Sequence, residues 1–206
     1  MVDNIIKTGT TILGIVCKDG VVMAGDNRAS LGTTLVGGKD LQKVLRVNDY
    51  LLVAIAGHAT EATKASKMLA AELKLKQLRS KKRPTVGEAA SLMSNIPVQA
   101  SGFLVAGIDE NGVASLYEII GGLSTKISDY SASIGSGLMY VYGYLERMWK
   151  KDVTVKEGIE LAKESIKSSM ERDMATGNGM NIYTITKDGI KEVVRDKTEL
   201  TFKKRE

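Results

Sequence analysis

The sequence contains one cysteine, one histidine and two prolines among 206 residues. A single cysteine, Cys17, cannot form an intrachain disulfide, and no metal-ligand spacing such as Cys-x-x-Cys or His-Glu-x-x-His is present. A catalytic triad built on histidine could use only His58. No apolar run reaches the roughly 18 residues of a transmembrane helix. These scarcities exclude a disulfide scaffold and a helical membrane span, and they predict a soluble, cytoplasmic chain.

The charge is mildly basic and evenly distributed. The net charge is +5 and 26% of the residues are charged. The densest basic stretch, residues 74–83, ends a helical pattern and holds no aromatic residue, whereas a nucleic-acid surface is expected to carry stacking rings or a basic motif. We therefore predict a solvated helix end and no nucleic-acid partner. The first nine residues lack the apolar core of a secretory signal, so no export is expected.

Strand patterns occur in groups. Two apolar runs, Thr10–Cys17 and Val21–Asp26, flank a Lys-Asp-Gly turn and predict a β-hairpin. Apolar side chains occupy both parities of these runs, which predicts that both faces of the sheet are covered. Further strands are predicted at residues 43–47, 50–56, 102–109, 113–119, 130–134, 181–186 and 190–194.

Helical patterns separate the groups of strands. Apolar residues recur at helical spacing from Ala62 to about Ser80, and residues 138–149 form another candidate helix. The segments Thr85–Glu88 and Thr154–Glu157 are capping boxes that open two more helices. Strands, two helices, strands, two helices and a final hairpin predict an α+β fold in one domain. We expect two antiparallel sheets stacked face to face with helices outside, and this order argues against a parallel βαβ fold.

The missing motifs narrow the possible chemistry. There is no P-loop, and the glycine-rich pieces do not match a dinucleotide-binding pattern. One nucleophile that needs no histidine is an N-terminal threonine, whose α-amine serves as the base. That amine has a pKa of about 8, so a large neutral fraction exists near pH 7. Cleavage at Gly9–Thr10 would unmask such a residue, and glycine permits the tight or left-handed backbone that self-attack requires.

Six segments carry a resemblance to a known family. They are Gly9–Gly14, Asp19–Ala24, Asp26–Arg28, Ala54–Gly57, Ser133–Gly137 and Arg172–Gly177. Through them, and over nearly its whole length, the chain resembles the β subunits of the 20S proteasome, most closely the archaeal type. The resemblance implies the four-layer αββα sandwich of N-terminal-nucleophile hydrolases, which agrees with the layer order above. It also implies a propeptide, residues 1–9, that is removed autocatalytically from a hydrolase domain at residues 10–206.

The resemblance assigns a set of catalytic residues: Thr10, Asp26, Lys43, Gly57, Ser136, Asp173 and Thr176. It makes Thr10 the nucleophile of a threonine-type endopeptidase, with the freed amine relaying the proton. Lys43 would lower the proton affinity of Thr10, and Asp26 would hold Lys43 charged and oriented. Without the resemblance, the same residues read as a strand start and two surface charges.

The other assignments follow in the same way. The backbone N–H of Gly57 would stabilise the oxyanion, although the residue alone reads as a strand end. Ser136 and Asp173 would hold the threonine amine. Thr176 departs from the serine usual in the family, which weakens its assignment. The segment 95–102 is several residues shorter than in the family, which puts subunit contacts in doubt more than chemistry.

The resemblance also implies how substrate binds. Ser30 and Ala59 would hold the substrate as an added β-strand through main-chain hydrogen bonds, which favours broad specificity. Ala29, Leu45, Ile55 and Ala59 map near the pocket for the residue that precedes the cleaved bond. None of them is charged, so an apolar, chymotrypsin-like preference is predicted.

Partners implied by the resemblance are proteasome α subunits, other β subunits in stacked seven-membered rings, and an AAA-type unfoldase ATPase that supplies polypeptides. No cofactor is needed for the hydrolysis. Three alternatives stay open. The first is a structural β-type subunit that keeps residues 1–9. The second is a subunit of the bacterial two-component protease, which residues 24–34 also resemble. The third is a small-molecule amidohydrolase of the same fold. Asp173 with Ser136 favours the proteasome, and an apolar pocket disfavours the amidohydrolase.

Overall fold

The computed structural model describes residues 9–31 and 35–197, so the predicted propeptide lies outside the described residues except for Gly9. The strands are β1 (Ile12–Cys17), β2 (Gly20–Asp26), β3 (Ala29–Leu31), β4 (Leu35–Gly38), β5 (Val44–Arg46), β6 (Leu51–Gly57), β7 (Ser101–Ile108), β8 (Ala114–Ile120), β9 (Leu123–Ile127), β10 (Tyr130–Ser131), β11 (Gly179–Thr186) and β12 (Gly189–Lys197). The helices are α1 (Ala59–Ser80), α2 (Val86–Ser94), α3 (Leu138–Met148) and α4 (Val155–Arg172).

Two five-stranded antiparallel sheets form the centre of the molecule. Their strand orders are β10-β1-β2-β11-β12 and β5-β6-β7-β8-β9. Helix α4 packs on the first sheet beside α3, and α1 and α2 pack on the second. This arrangement confirms the predicted α+β sandwich with helices outside two stacked sheets.

Successive residues of β1 enter different hydrophobic clusters. Ile12 belongs to the cluster that contains the second sheet, α1 and α2, whereas Leu13 and Ile15 belong to the cluster under α3 and α4. At Gly14 a Cβ atom would lie 2.8 Å from Leu116 of β8, so the missing side chain lets the two sheets approach. The prediction that both faces of this sheet are covered is confirmed. Burial of each such apolar side chain contributes about 1.5–3 kcal/mol.

Both predicted capping boxes are confirmed. The Thr85 side chain accepts from the Glu88 N–H while the Glu88 carboxylate accepts from the Thr85 N–H, at the start of α2. Thr154 and Glu157 make the same pair of contacts at the start of α4. Each cap satisfies backbone donors that the first helical turn leaves unpaired.

Three strands were not predicted. β3 and β4 form a small sheet of their own, and they have only three and four residues. β9, at the edge of the second sheet, is mostly exposed and mixes polar with apolar residues, so no alternation marks it. The strand predicted at residues 130–134 is too long, because β10 ends at Ser131. Beyond it the chain turns past Thr10, where a Cβ on Gly135 would lie 2.4 Å from the Thr10 carbonyl oxygen.

The basic stretch at residues 74–83 is largely exposed, as predicted, and α1 ends within it at Ser80. Arg83 is the exception. Its guanidinium carbon lies 3.7 Å from the centroid of the Tyr50 ring, and it donates to the Ile108 carbonyl oxygen. This arginine therefore has a packing role. Within residues 9–31 and 35–197, no helix has the length and apolar character needed to cross a membrane.

Candidate active site

Thr10 lies just before β1. The turn that carries Ser136 and the loop that carries Thr176 both approach residues 9–11. It is buried, with 4% of its surface exposed. Its backbone N–H donates to Ser136 Oγ over 3.1 Å, and its side-chain hydroxyl donates to the Gly9 carbonyl oxygen over 2.6 Å. The hydroxyl predicted to be the nucleophile therefore sits beside the peptide bond predicted to be cut.

The end of β2 and the residue before β5 supply a buried ion pair. Lys43 Nζ lies 2.5 Å from Asp26 Oδ1, and their side chains are 2% and 0% exposed. Asp26 Oδ1 also accepts the Thr11 N–H, and Oδ2 accepts the N–H groups of Arg28 and Gly177. All of these contacts come from donors, which fits an ionised carboxylate.

Lys43 also contacts the peptide bond before Thr10. Its Nζ lies 3.3 Å from the same Gly9 oxygen that accepts the Thr10 hydroxyl. Burial lowers the pKa of the Lys43 ammonium group, and the neighbouring Asp26 charge opposes that shift. The ammonium group at this point places positive charge where an oxyanion would form. Its effect on the proton affinity of Thr10 stays a prediction.

A second polar cluster holds the Thr10 nitrogen. Ser136 Oγ, which accepts the Thr10 N–H, donates to Asp173 Oδ2 over 2.5 Å. Asp173 is the C-cap residue of α4, so the helix end positions its carboxylate. Thr176 donates its hydroxyl to the same Asp173 oxygen. The departure from serine at position 176 thus leaves the hydroxyl contact in place.

Two residues to which sequence reasoning gave no role belong to this region. Thr11 Oγ1 lies 2.7 Å from Thr176 Oγ1. Arg28 Nε donates to Asn178 Oδ1 over 2.8 Å, and Nη1 donates to the Met174 carbonyl oxygen, so Arg28 braces the loop after α4. The sequence signal for Thr11 was its position directly after the predicted nucleophile. A threonine hydroxyl that is buried there requires a hydrogen-bond partner.

Gly57 ends β6, as predicted, in a conformation that requires glycine. Its φ is +93°, and a Cβ there would lie 2.0 Å from the Ala100 carbonyl oxygen. The left-handed backbone and the close approach of Ala100 both exclude a side chain. The oxyanion role of this residue stays a prediction.

The residues predicted to bind substrate are only partly brought together. Ser30, in β3, donates its hydroxyl to the Ala175 carbonyl oxygen over 3.3 Å, so it lies against the loop that also carries Thr176. Ala29 and Ala59 are half-buried. Ile55 is only 3% exposed and belongs to the core, and Leu45 packs against the same core. Little of the Ile55 side chain is therefore available to a ligand.

Ala59 lines an open groove of about 690 Å³. Its other lining residues are Leu41, Thr60, Thr63, Lys64, Lys67, Met68 and Ala71. Most of these lie on one face of α1, because residues four apart in a helix are neighbours. Counting in steps of four from Ala59 would have added Thr63 and Lys67 to the residues predicted to line the pocket. The two lysines put positive charge beside a pocket for which only uncharged residues had been predicted.

Within the described parts of the chain, no group of three or more histidine, cysteine, aspartate or glutamate side chains is placed to hold a metal ion.

Comparison with known proteins places these features in a family. A family model described as "Proteasome subunit" matches residues 6–185. A protein of Methanobrevibacter ruminantium named "Proteasome subunit beta" is 37% identical over 201 residues, which cover 95% of this chain and 95% of the relative. Proteins with the same name from Nanoarchaeum equitans, 39% identical over 89% of this chain and 96% of the relative, and from Methanobrevibacter smithii, 38% identical over 95% and 96%, are also similar.

Proposed function

The chain belongs to the family of proteasome β subunits, and from that premise we propose that it is a catalytic member, a threonine-type endopeptidase. In this proposal it cuts its own Gly9–Thr10 bond and then hydrolyses peptide bonds of unfolded polypeptides. One observation carries the proposal. The Thr10 hydroxyl lies 2.6 Å from the carbonyl oxygen of Gly9, and that oxygen also lies 3.3 Å from the Lys43 ammonium group.

Self-cleavage would proceed by an acyl shift. Thr10 Oγ1 attacks the Gly9 carbonyl carbon, the C–N bond breaks, and the proton of the hydroxyl passes to the departing nitrogen, which becomes the free amine. Water then hydrolyses the ester, which releases the Gly9 carboxylate and restores the hydroxyl. During the attack, charge develops on the Gly9 oxygen, and Lys43 is placed to stabilise it. One such donor is worth about 2.7–4 kcal/mol of transition-state free energy.

The freed residue would then act on substrates. The Thr10 amine takes the proton from the hydroxyl, Oγ1 attacks the substrate carbonyl, and the amine passes the proton to the leaving nitrogen. Water hydrolyses the resulting ester. Ser136 can hold the amine because its own hydrogen is committed to Asp173, which leaves it an acceptor toward Thr10. Gly57 is proposed to supply the oxyanion donor.

The main alternative is a structural β subunit that keeps residues 1–9. The buried Lys43–Asp26 pair favours the catalytic proposal. Desolvating two charges costs several kcal/mol, and an apolar pair of similar size is often as stable or more stable. An apolar pair would therefore serve a subunit without chemistry about as well, whereas an ammonium group is needed to stabilise charge on the Gly9 oxygen. The relatives named as proteasome β subunits also favour this proposal over a two-component protease or an amidohydrolase.

We propose the corresponding assembly and location. The chain would occupy heptameric β rings stacked with α-subunit rings, receive polypeptides from an AAA-type unfoldase, and work in the cytoplasm. Its preference for substrates would follow from the groove at Ala59.

Peptide hydrolysis tests the proposed function and its specificity. With fluorogenic peptides that end in Tyr, Arg or Glu before the reporter group, we expect the Tyr peptide to have the highest kcat/KM. The Arg peptide is expected to be slowest, by about tenfold or more, because Lys64 and Lys67 repel a cation beside an otherwise apolar groove. Assembled particles without activity on any of the peptides would contradict the proposal.

A lysine substitution provides the matched control for this specificity. Lys67→Gln is expected to raise kcat/KM for the Arg peptide about twofold to fivefold and to leave the Tyr peptide nearly unchanged. Lys187→Gln removes an equal charge from the exposed β11–β12 turn and is expected to change neither. Equal effects of the two substitutions would show that the groove does not select the substrate.

The fit of Gly9 predicts how cleavage depends on its side chain. A Cβ on Gly9 would lie 1.7 Å from Ala175 Cβ, so Gly9→Ala is expected to displace the scissile carbonyl and slow self-cleavage about 100-fold. The double variant Gly9→Ala with Ala175→Gly removes only the nearest contact, because the Ala175 Cα and carbonyl oxygen would still lie 2.7 and 2.8 Å from the added Cβ. It is therefore expected to be cut only slightly faster than the single variant, as followed by intact mass over time. Cleavage of Gly9→Ala at the parent rate would contradict the steric account.

A further inference from the structure

Thr11 is buried on all sides and its side chain has a single polar partner. The residue is 1% exposed. Its backbone is held by Asp26, whose Oδ1 accepts the Thr11 N–H and whose own N–H donates to the Thr11 carbonyl oxygen. Its hydroxyl points elsewhere, to Thr176 Oγ1 at 2.7 Å. Thr11 therefore joins the loop after α4 to the strand that begins beside Thr10.

The direction of the Thr11–Thr176 hydrogen bond follows from donor accounting. An ionised carboxylate only accepts hydrogen bonds, so Thr176 must donate its one hydroxyl hydrogen to Asp173. Thr176 then has only lone pairs to offer, and Thr11 must be the donor between the two hydroxyls. The bonds run in one direction, from Thr11 through Thr176 to Asp173.

The same carboxylate anchors the group that touches Thr10. Asp173 Oδ2 accepts from Ser136, and Ser136 accepts from the Thr10 nitrogen. Thr11 and Thr10 are adjacent in the chain, so the hydrogen bonds and the backbone close a ring. A hydroxyl that polarises Thr176 strengthens its bond to Asp173, because hydrogen bonds in a chain reinforce one another.

The packing around Thr11 is fitted to this hydroxyl. A Cβ on Gly137 would lie 1.7 Å from Thr11 Oγ1, so the turn that carries Ser136 closes directly over it. The Gly137 N–H also donates to the Thr10 carbonyl oxygen over 3.3 Å. The hydroxyl of Thr11 thus touches both segments, residues 135–137 and 173–177, that hold the Thr10 nitrogen.

We propose that Thr11 is a positioning residue for the reaction of Thr10. Its hydroxyl fixes Thr176, which fixes the Asp173 carboxylate, which aligns Ser136 on the Thr10 amine. The inference rests on the proposed function. Substrate does not contact Thr11 in this account, so loss of the hydroxyl lowers kcat and leaves KM nearly unchanged.

The test compares two substitutions in assembled particles. Thr11→Val keeps the branched shape and removes the hydroxyl, whereas Thr11→Ser keeps the hydroxyl. We expect Thr11→Val to reduce kcat about tenfold and to leave KM within about twofold of the parent value. The kcat is calculated per cleaved chain, and intact mass gives the cleaved fraction. Thr11→Ser is expected to recover most of kcat. Thr184→Val, a buried threonine of β11 outside this ring, controls for the general effect of the substitution and is expected to change little.

The outcomes separate the two proposals. Parent particles that hydrolyse no peptide contradict the proposed function, whereas active parent particles and an equally active Thr11→Val contradict the role of Thr11. Failure of Thr11→Val to cleave itself, with cleavage restored in Thr11→Ser, supports that role because the same alignment serves both reactions. If Thr11→Val does not assemble, Thr176→Val alone tests the link, and parent-like kcat in that variant overturns the proposal. If both single variants assemble, the double variant Thr11→Val with Thr176→Val gives a further test. Free-energy losses in kcat that add in the double variant would overturn the proposal, because residues that act in series share one loss.

Discussion

Thr10→Ala is expected to lower kcat/KM for peptide hydrolysis at least about 1,000-fold, since removing a nucleophile costs several orders of magnitude. Thr10 is the only residue placed so that its hydroxyl meets the Gly9 carbonyl oxygen while its nitrogen meets Ser136, within the described residues. Thr10→Ser keeps the hydroxyl and the nitrogen, and it is expected to retain measurable activity. Initial rates with the fluorogenic Tyr peptide, in particles of equal subunit composition, provide the measurement.

An exposed threonine supplies the control for this substitution. Thr125 lies on β9 at the edge of the second sheet, and Thr125→Ala is expected to leave kcat/KM unchanged. If purified Thr10→Ala particles kept more than about one hundredth of the parent activity, another residue would have to be the nucleophile. Loss of activity in Thr125→Ala as well would indicate a defect of assembly.

Lys43→Met is the second substitution for which a large effect is expected. It removes the ammonium group beside the Gly9 oxygen and leaves Asp26 buried without its cation. We expect self-cleavage and peptide hydrolysis to fall about 100-fold to 1,000-fold, the range for loss of one preorganised charge donor. We also expect a loss of about 3–5 kcal/mol in stability as an upper bound. The three backbone N–H groups that remain on Asp26 should reduce that loss and allow the chain to fold.

The chain offers a matched ion pair for comparison. Lys197 Nζ lies 2.5 Å from Asp40 Oδ2, the same separation as in the buried pair, but these side chains are 52% and 48% exposed. An exposed pair contributes about 0–1 kcal/mol, so Lys197→Met is expected to change stability little and activity not at all. Thermal unfolding and peptide hydrolysis of both variants, side by side, isolate the effect of position. Indistinguishable variants would contradict the assigned role of Lys43.

Features of the fold that depend on local sequence were predictable. The hairpin around Lys18–Gly20 and the capping boxes at Thr85 and Thr154 involve residues at most a few positions apart, and the structure has all three. The weak strands β3, β4 and β9 were missed because they are short or mostly exposed, so side-chain alternation does not mark them.

The candidate site was predictable as a set of residues, and less so as a geometry. Asp26 and Gly57 were placed correctly at strand ends by their sequence pattern. The pairing of Lys43 with Asp26 came only from the resemblance, since nothing local marks a lysine as buried. Contacts across long sequence separations, such as Thr11 with Thr176, depend on how the loops pack against the strands. No single-sequence pattern carries that information.

The structure adds a second reason for glycine at position 9. The sequence suggested backbone freedom, which stays a prediction, and the close approach of Ala175 also leaves no room for a Cβ atom. Similarly, Ile55 was placed near a substrate pocket by resemblance, yet it packs into the core between its neighbours. In both cases the environment of the residue comes from an element distant in sequence.

Intact-mass analysis of the chain after assembly with its partner subunits tests the central claim most directly. We predict that the parent chain loses residues 1–9 and begins at Thr10, whereas Thr10→Ala, assembled in the same way, keeps them. Retention of the nine residues in both chains, or their loss in both, would contradict the account of Thr10 as a nucleophile that frees its own amine.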